Sequence, residues 1–273
     1  MLLLDKELYI RLGFFFGVFT LMSLWELTFP RRALKTSKSM RWFANLSITF
    51  LDSAAVRLVF PLIAIDVAYK SAQRGWGIFN NTGIPEPVAG TISVIILDLL
   101  IYVQHAMFHK VHLFWMIHRM HHTDLDIDVT TGARFHPIEI ILSMGIKMAF
   151  VAALGAPVWS VLVFEVLLNA TSMFNHSNVY IPPSIDRVMR LFVVTPDMHR
   201  VHHSVIISEF NSNFGFNLPW WDRLFGTYNA QPAMGHTDMT IGLANFRDPK
   251  MLTLPRLLLI PFMNKNLPFS RPQ

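Results

Sequence analysis

The chain contains no cysteine among its 273 residues. Disulfides, thiolate zinc sites, iron–sulfur clusters and a cysteine nucleophile are therefore excluded. Charge is scarce as well: 15% of the residues are charged, against about 25% in an ordinary soluble domain. No basic face with interleaved aromatics is present, which excludes a nucleic-acid partner. There is no Gly/Ser linker and no low-complexity block, so residues 1–273 read as one unit. HExxH is missing too, because neither HAMFH nor HRMHH carries glutamate after its first histidine; that removes the main zinc-protease reading. The GWG at 75–77 lacks the third glycine and the strand–helix context of a nucleotide fingerprint.

What the chain has in quantity is apolar sequence: 52% hydrophobic residues and a mean hydropathy of +0.39. This predicts an all-α, integral-membrane helical bundle. Leu12 to Phe29 approaches the ~20 residues needed to cross the hydrocarbon, and no small-x-small cleavage site follows to make it a signal peptide. The next segment, RRALKTSKSMR, holds Arg31, Arg32, Lys35, Lys38 and Arg41 and no acid, which assigns it to the cytoplasmic side. A second run, Trp42 to Tyr69, carries Asp52, Arg57, Pro61 and Asp66; its charges are expected near the ends or paired inside the bundle. A third run, Val88 to about Met107, returns the chain to the inside. Ile138 to Ala156 and Trp159 to Phe174, broken at Gly155-Ala156-Pro157, read as a helical hairpin. The expectation is about three spans plus this hairpin, and a C-terminal segment over 250–273 resting in the interface.

Histidines gather where these runs meet the cytoplasmic side. His105 and His109 are spaced i, i+4 and share a helix face with Asp98 and Tyr102. His118, His121 and His122 form a triple at i, i+3, i+4, and His199, His202 and His203 repeat it. Adjacent histidines in a triple project about 100° apart, which suits two metals. An ion accepts at most about six donors, so eight or more imidazoles also favour two ions over one. His176, flanked by Asn175 and Asn178, is a further candidate ligand. So is His136, which precedes Pro137 and lies near the carboxylate of Glu139. Asp98, Tyr102, Glu139, Asn175 and Asn178 are candidates to orient the ligands; Asp98 is placed to accept a second ring N–H. His112 and His236 fall off the pattern and read as structural. Asp124, Asp126 and Asp128 read as a solvated segment, and Trp115, Trp220 and Trp221 as interfacial residues.

The boxes HAMFH, HRMHH and HRVHH, with RFHPIE, NHSN and FNSNFGFNLPWWDRLFGTY, occur in order over about 97–228. Together they resemble the fatty acid hydroxylase / sterol desaturase superfamily of integral-membrane non-haem di-iron enzymes. The resemblance implies a cytoplasmic helical cap carrying a histidine-rich dimetal site over the membrane helices. It implies two iron ions, which zinc can replace on expression, and O2 as co-substrate. The substrate would be a membrane lipid (sterol, fatty acyl, sphingoid, ether lipid or carotenoid), hydroxylated rather than desaturated. His105, His109, His118, His121, His122, His199, His202 and His203 carry over as ligands, with His176 and His136 after them. Because the sequence encodes no recognisable carrier, a separate electron donor is expected: cytochrome b5, a ferredoxin with its reductase, or a reduced pterin. A bacterial inner membrane or an ER membrane would house the chain. Two other classes compete. A haem-binding electron carrier would set single histidine pairs facing each other within the spans. A metal transporter or sensor would use ionisable residues such as Asp52, Arg57, Asp66 and Asp98.

Overall fold

The computed structural model describes residues 2–263, and every named element among them is helical. Residues 264–273 of the expected interfacial segment lie outside the described residues. Among the described residues, five helical stretches are long and apolar enough to cross a membrane. Helix α1 (Leu2–Thr28) packs against α7 (Val158–His176) and turns Phe14, Phe16, Leu21 and Leu24 outward. Its stretch 12–25 carries no charge, and an apolar helix with so little protein cover faces lipid.

The second run forms two helices, α2 (Lys38–Val59) and α3 (Ala64–Arg74). Pro61 disfavours helical geometry at the residue before it, and Phe60 is extended (φ −113°, ψ 114°). Helix α3 restarts with the Asp66 carboxylate accepting from the Ile63 backbone N–H at 3.0 Å. Helix α4 (Glu86–Lys110) is the third span. The hairpin is α6 (Pro137–Leu154) and α7 (Val158–His176). Gly155, at φ 65°, closes α6, and Pro157 opens α7.

Of the charges within the apolar runs, Glu165 accepts from Lys147 and lies 3.1 Å from Arg11 Nη1. This is the internal pairing a bundle needs. Asp52 breaks the expectation for the second run: it is buried 11 residues beyond Arg41, and its Oδ1 has no hydrogen-bond partner among the described residues.

The cap consists of α5 (His112–His122), the 3-10 segment Val129–Ala133, α8 (Pro183–Met189), α9 (Pro196–His202) and the chain that follows. Gly132 lets this 3-10 segment lie on α7, since a Cβ there would stand 2.3 Å from the Ser172 carbonyl oxygen.

The acids after HRMHH are not solvated. Asp124, Asp126 and Asp128 are all buried and clamp the basic loop to the cap. Arg41 donates to Asp124 through Nε (2.6 Å) and Nη2 (2.9 Å), and to Asp128 through Nη1 (2.6 Å). Asp126 Oδ2 accepts from the Lys35 and Thr36 backbone N–H groups, both at 2.8 Å. Burial opposes ionisation of Asp124, yet the Arg41 and Arg134 guanidiniums hold its pKa down to about 2. Arg31 donates to Asp197, and Arg32 to the His236 and Met239 carbonyls. The basic loop is thereby part of the cap's foundation.

Removing one partner of a buried ion pair strands the other and costs about 3–5 kcal/mol. Arg41→Met is therefore expected to lower the thermal midpoint of the detergent-extracted protein sharply. A midpoint within a degree or so of wild type would contradict the clamp.

Candidate metal centre

Nine histidines converge from four segments, and all are buried. Helix α4 contributes His105 and His109, α5 contributes His118, His121 and His122, the last residue of α7 is His176, and α9 with its C-cap provides His199, His202 and His203. They divide into two groups, His105, His109, His118, His122 and His202 against His121, His176, His199 and His203. Within each group one nitrogen per residue lies within 4.8 Å of the others. Each HRxHH triple is split between the groups, as the 100° offset of neighbouring helical residues allows.

Five of the nine histidines have an anchored outer ring nitrogen. Nδ1 of His105 lies 2.8 Å from the Phe214 carbonyl, that of His121 2.9 Å from Arg134 O, that of His176 2.7 Å from Ser172 O, and that of His202 2.7 Å from Ser212 O. His118 Nδ1 meets Glu139 Oε1 at 2.8 Å. A carbonyl only accepts, so these Nδ1 atoms carry the proton and the corresponding Nε2 atoms present bare lone pairs. His121 and His176 consequently point two lone pairs at each other across 3.1 Å. His199 and His176 stand 3.0 Å apart through Nε2, His109 and His122 3.1 Å, and His122 and His118 3.2 Å. Nitrogens about 2.0–2.1 Å from a shared ion and between right-angled and tetrahedral about it would be about 2.8–3.4 Å apart. Nε2 of His105 and of His202 has no partner at all among the described residues. An all-imidazole donor set that converges in two groups, with the tautomers of five rings fixed by their outer hydrogen bonds, fits two transition-metal ions.

Protons are poor substitutes for such ions. Burial, reinforced by repulsion from neighbouring imidazoles, pushes His121, His122, His199 and His203 well below the usual histidine pKa. Burial brings His202 down to about 3.

The remaining candidates fall in different places. His136 stands outside both groups: its Nδ1 accepts from Ile138 N–H as the N-cap of α6, and Nε2 lies 3.3 Å from Leu258 O. Glu139 touches a grouped histidine directly. Asp98 does not; its Oδ2 instead accepts from Trp221 Nε1 (2.8 Å) and Leu218 N–H (3.2 Å). Tyr102 hydrogen-bonds Thr227 at 2.9 Å and stacks on Phe225. Asn175 donates to Phe216 O, and Asn178 brackets the Arg32 backbone. His236 contacts Gln231, and His112 begins α5. Trp115 is buried against Phe210 and His109 rather than interfacial, and Trp221 is engaged by Asp98; Trp220 remains exposed.

Sequence reasoning did not find what aims the rings. The loop after α9 supplies two of the anchoring carbonyls, Ser212 and Phe214. Asn213 between them takes φ 52°, the sole positive φ on a non-glycine residue in the described chain. Its side chain binds Met198 O and Asn229 O, while Asp222 accepts from Phe214 N–H and Gly215 N–H, both at 2.8 Å. The asparagines and aspartate of FNSNFGFNLPWWDRLFGTY were visible; the carbonyls they present were not.

A cavity of about 320 Å³ opens below the cap. His105, His118 and Glu139 line its upper part, and it reaches Lys147, Glu165 and Arg11 among the spans.

Fold and site thus define a helical membrane protein with two buried polyhistidine groups above an intramembrane cavity. A sequence model of the fatty acid hydroxylase family matches residues 90–227, just over half of the chain, and the chain belongs to that family. It is 26% identical over 227 residues to the ornithine lipid hydroxylase OlsE of Rhizobium tropici, covering 81% of this chain and 67% of that protein. It is 25% identical over 175 residues to the alkylglycerol monooxygenase of Xenopus tropicalis, covering 60% of this chain but 37% of the relative. Similarity to the very-long-chain aldehyde decarbonylase GL1-8 of Oryza sativa subsp. indica is 23% over 220 residues, 77% of this chain and 81% of the relative. No solved structure matches the chain.

The lowered histidine pKa values predict how metal-stripped protein responds to acid. Below about pH 6.5 an unfolded imidazole takes a proton that these folded ones refuse. Stability is therefore lost as pH falls from about 6.5 toward the folded values, about 3 for His202, by up to about 1.4 kcal/mol per group per pH unit. Thermal midpoints of metal-free protein should drop steadily between pH 7 and 5; a flat profile would contradict neutral burial.

Proposed function

We propose that the protein is an O2-dependent lipid hydroxylase with a di-iron centre on the cytoplasmic face of the membrane. The observation that carries this reading is the pair of histidine groups whose bare Nε2 atoms converge above an intramembrane cavity. Membership of the fatty acid hydroxylase family and similarity to a lipid hydroxylase and a lipid monooxygenase support it. His105, His109, His118, His122 and His202 hold one iron; His121, His176, His199 and His203 hold the other. His136 we assign to capping α6 and bracing the cap, not to a metal.

Bound iron supplies the means to activate O2 for attack on an unactivated C–H bond. In the net reaction one oxygen atom enters that bond and the other leaves as water. Two electrons come from a separate donor, a small redox protein or a reduced pterin, and the two protons come from solvent or, with the pterin, from the donor itself.

The chain's own residues set the conditions. Glu139 accepts the His118 Nδ1 proton and the Phe214, Ser212, Arg134 and Ser172 carbonyls hold four further rings, so the donor nitrogens need no rearrangement to bind metal. Phe108, Phe135 and Phe216 line the cavity at the histidines and keep water from the reacting carbon. A lipid enters this cavity from the bilayer without crossing water. The cytoplasmic assignment rests on the basic residues from Arg31 to Arg41, whose loop is bonded to the same cap as the histidines.

Cells making the protein under isotopically heavy O2 should accumulate a membrane lipid that carries one heavy oxygen atom. His202→Ala, inserted at equal level, should yield none. Label in the variant, or a product lacking two hydrogens in place of gaining oxygen, would overturn the hydroxylase reading.

A further inference from the structure

The cavity under the histidines is not apolar throughout. Asp52, Gln104 and Glu139 all line it, at 6%, 4% and 5% exposure. Asp52 Oδ1, both polar atoms of the Gln104 side chain and Glu139 Oε2 have no hydrogen-bond partner among the described residues. The other Glu139 oxygen is taken by His118. Buried polar atoms are almost always satisfied, and an unpaired buried carboxylate is among the costliest groups to leave alone. Four such atoms around one cavity mark a site for a polar ligand.

Their chemistry narrows the ligand. Three are oxygen acceptors, two of them on carboxylates, and one is an amide donor. The cations on the same cavity do not neutralise them. Lys147 and Arg11 are committed to Glu165, Arg11 also to Glu7 at 2.6 Å, and Arg57 sits on exposed surface. A hydrocarbon chain or a lone hydroxyl would leave the carboxylates unpaired, and a quaternary ammonium has no N–H to give. A primary ammonium has three.

We propose that this cavity binds a lipid through a primary ammonium group in its headgroup, received by Asp52, Gln104 and Glu139. Gln104 adjoins His105 in sequence, and Glu139 is bonded to His118, so the ammonium is held beside the histidine groups. The carbon attacked then lies on the headgroup side of the lipid and not at the end of an acyl chain. The proposal rests on the reading of the cavity as the substrate site of a lipid hydroxylase.

Binding can be measured without turnover, on metal-loaded protein in lipid nanodiscs under argon with no electron donor. Three probes share a twelve-carbon chain: dodecanoyl putrescine with its free amine, its N-acetyl derivative, and 1-O-dodecylglycerol. Charge-assisted hydrogen bonds of this kind correspond to about 10- to 100-fold in affinity. Wild type should bind the amine tighter than both neutral probes by that factor. Asp52→Asn and Gln104→Leu should each remove most of the preference while leaving N-acetyl affinity unchanged. Equal affinities in wild type, or a preference that survives in the variants, would overturn the proposal. Thermal melting checks that each variant is folded, and Gln104→Leu, which strands no charge, serves if Asp52→Asn does not fold. Because no reaction is needed, the amine site can fail while heavy-oxygen incorporation succeeds, and the reverse.

Discussion

Imidazole lone pairs made to face one another in a dry interior are the constraint on which this structure depends. His121 and His176 both spend their Nδ1 protons on backbone carbonyls, so their Nε2 atoms meet at 3.1 Å with no proton between them. Lone pairs at that distance repel, and burial stops a proton from relieving the repulsion. Much of the cap exists to impose this arrangement. Carbonyls from the 3-10 segment's C-cap, from α7 and from the loop after α9 each fix a ring, and Asn213 and Asp222 fix that loop. The energy stored in facing lone pairs is released by a cation, which links the folding of the cap to metal binding.

The cap must also stay registered on the membrane helices that deliver His105, His109 and His176. Buried ion pairs and hydrogen bonds supply that register: Arg41 of α2 reaches Asp124 and Asp128, while Glu26 of α1 accepts from the Val129 and Asn178 backbone N–H groups at 2.7 and 2.8 Å. Isolated pairs of this kind add little net stability, because desolvation consumes most of the attraction. What they penalise is any other docking, since each alternative strands a charge. Below the cap the same logic governs Lys147, Glu165 and Arg11.

The spans, the hairpin and the split of the triples were legible because each rests on local periodicity. Apolar runs of membrane length are visible in one dimension, and i, i+3, i+4 spacing fixes a helical face whatever the tertiary context. Sequence failed where a partner came from far along the chain. Asp124, Asp126 and Asp128 look solvated until Arg41 and Lys35, some 90 residues earlier, are brought against them. Asp98 sits on the histidine face of α4 as expected, yet Trp221 takes its carboxylate from 123 positions away. His136 shares the residue type of a ligand, but Pro137 makes it a helix cap. The ring-aiming carbonyls of Ser212 and Phe214 carry no side-chain signature at all.

The most direct test of the two-group centre is metal analysis of iron-reconstituted protein joined to X-ray absorption. Two iron ions per chain are expected, ligated by nitrogen and oxygen only, with no sulfur, and with a scattering vector from one iron to the other. In His176→Ala, which weakens only the four-histidine group, about one ion should remain and that vector should vanish. A single iron in the wild-type protein, or an iron–iron vector that persists in His176→Ala, would contradict the two-group centre.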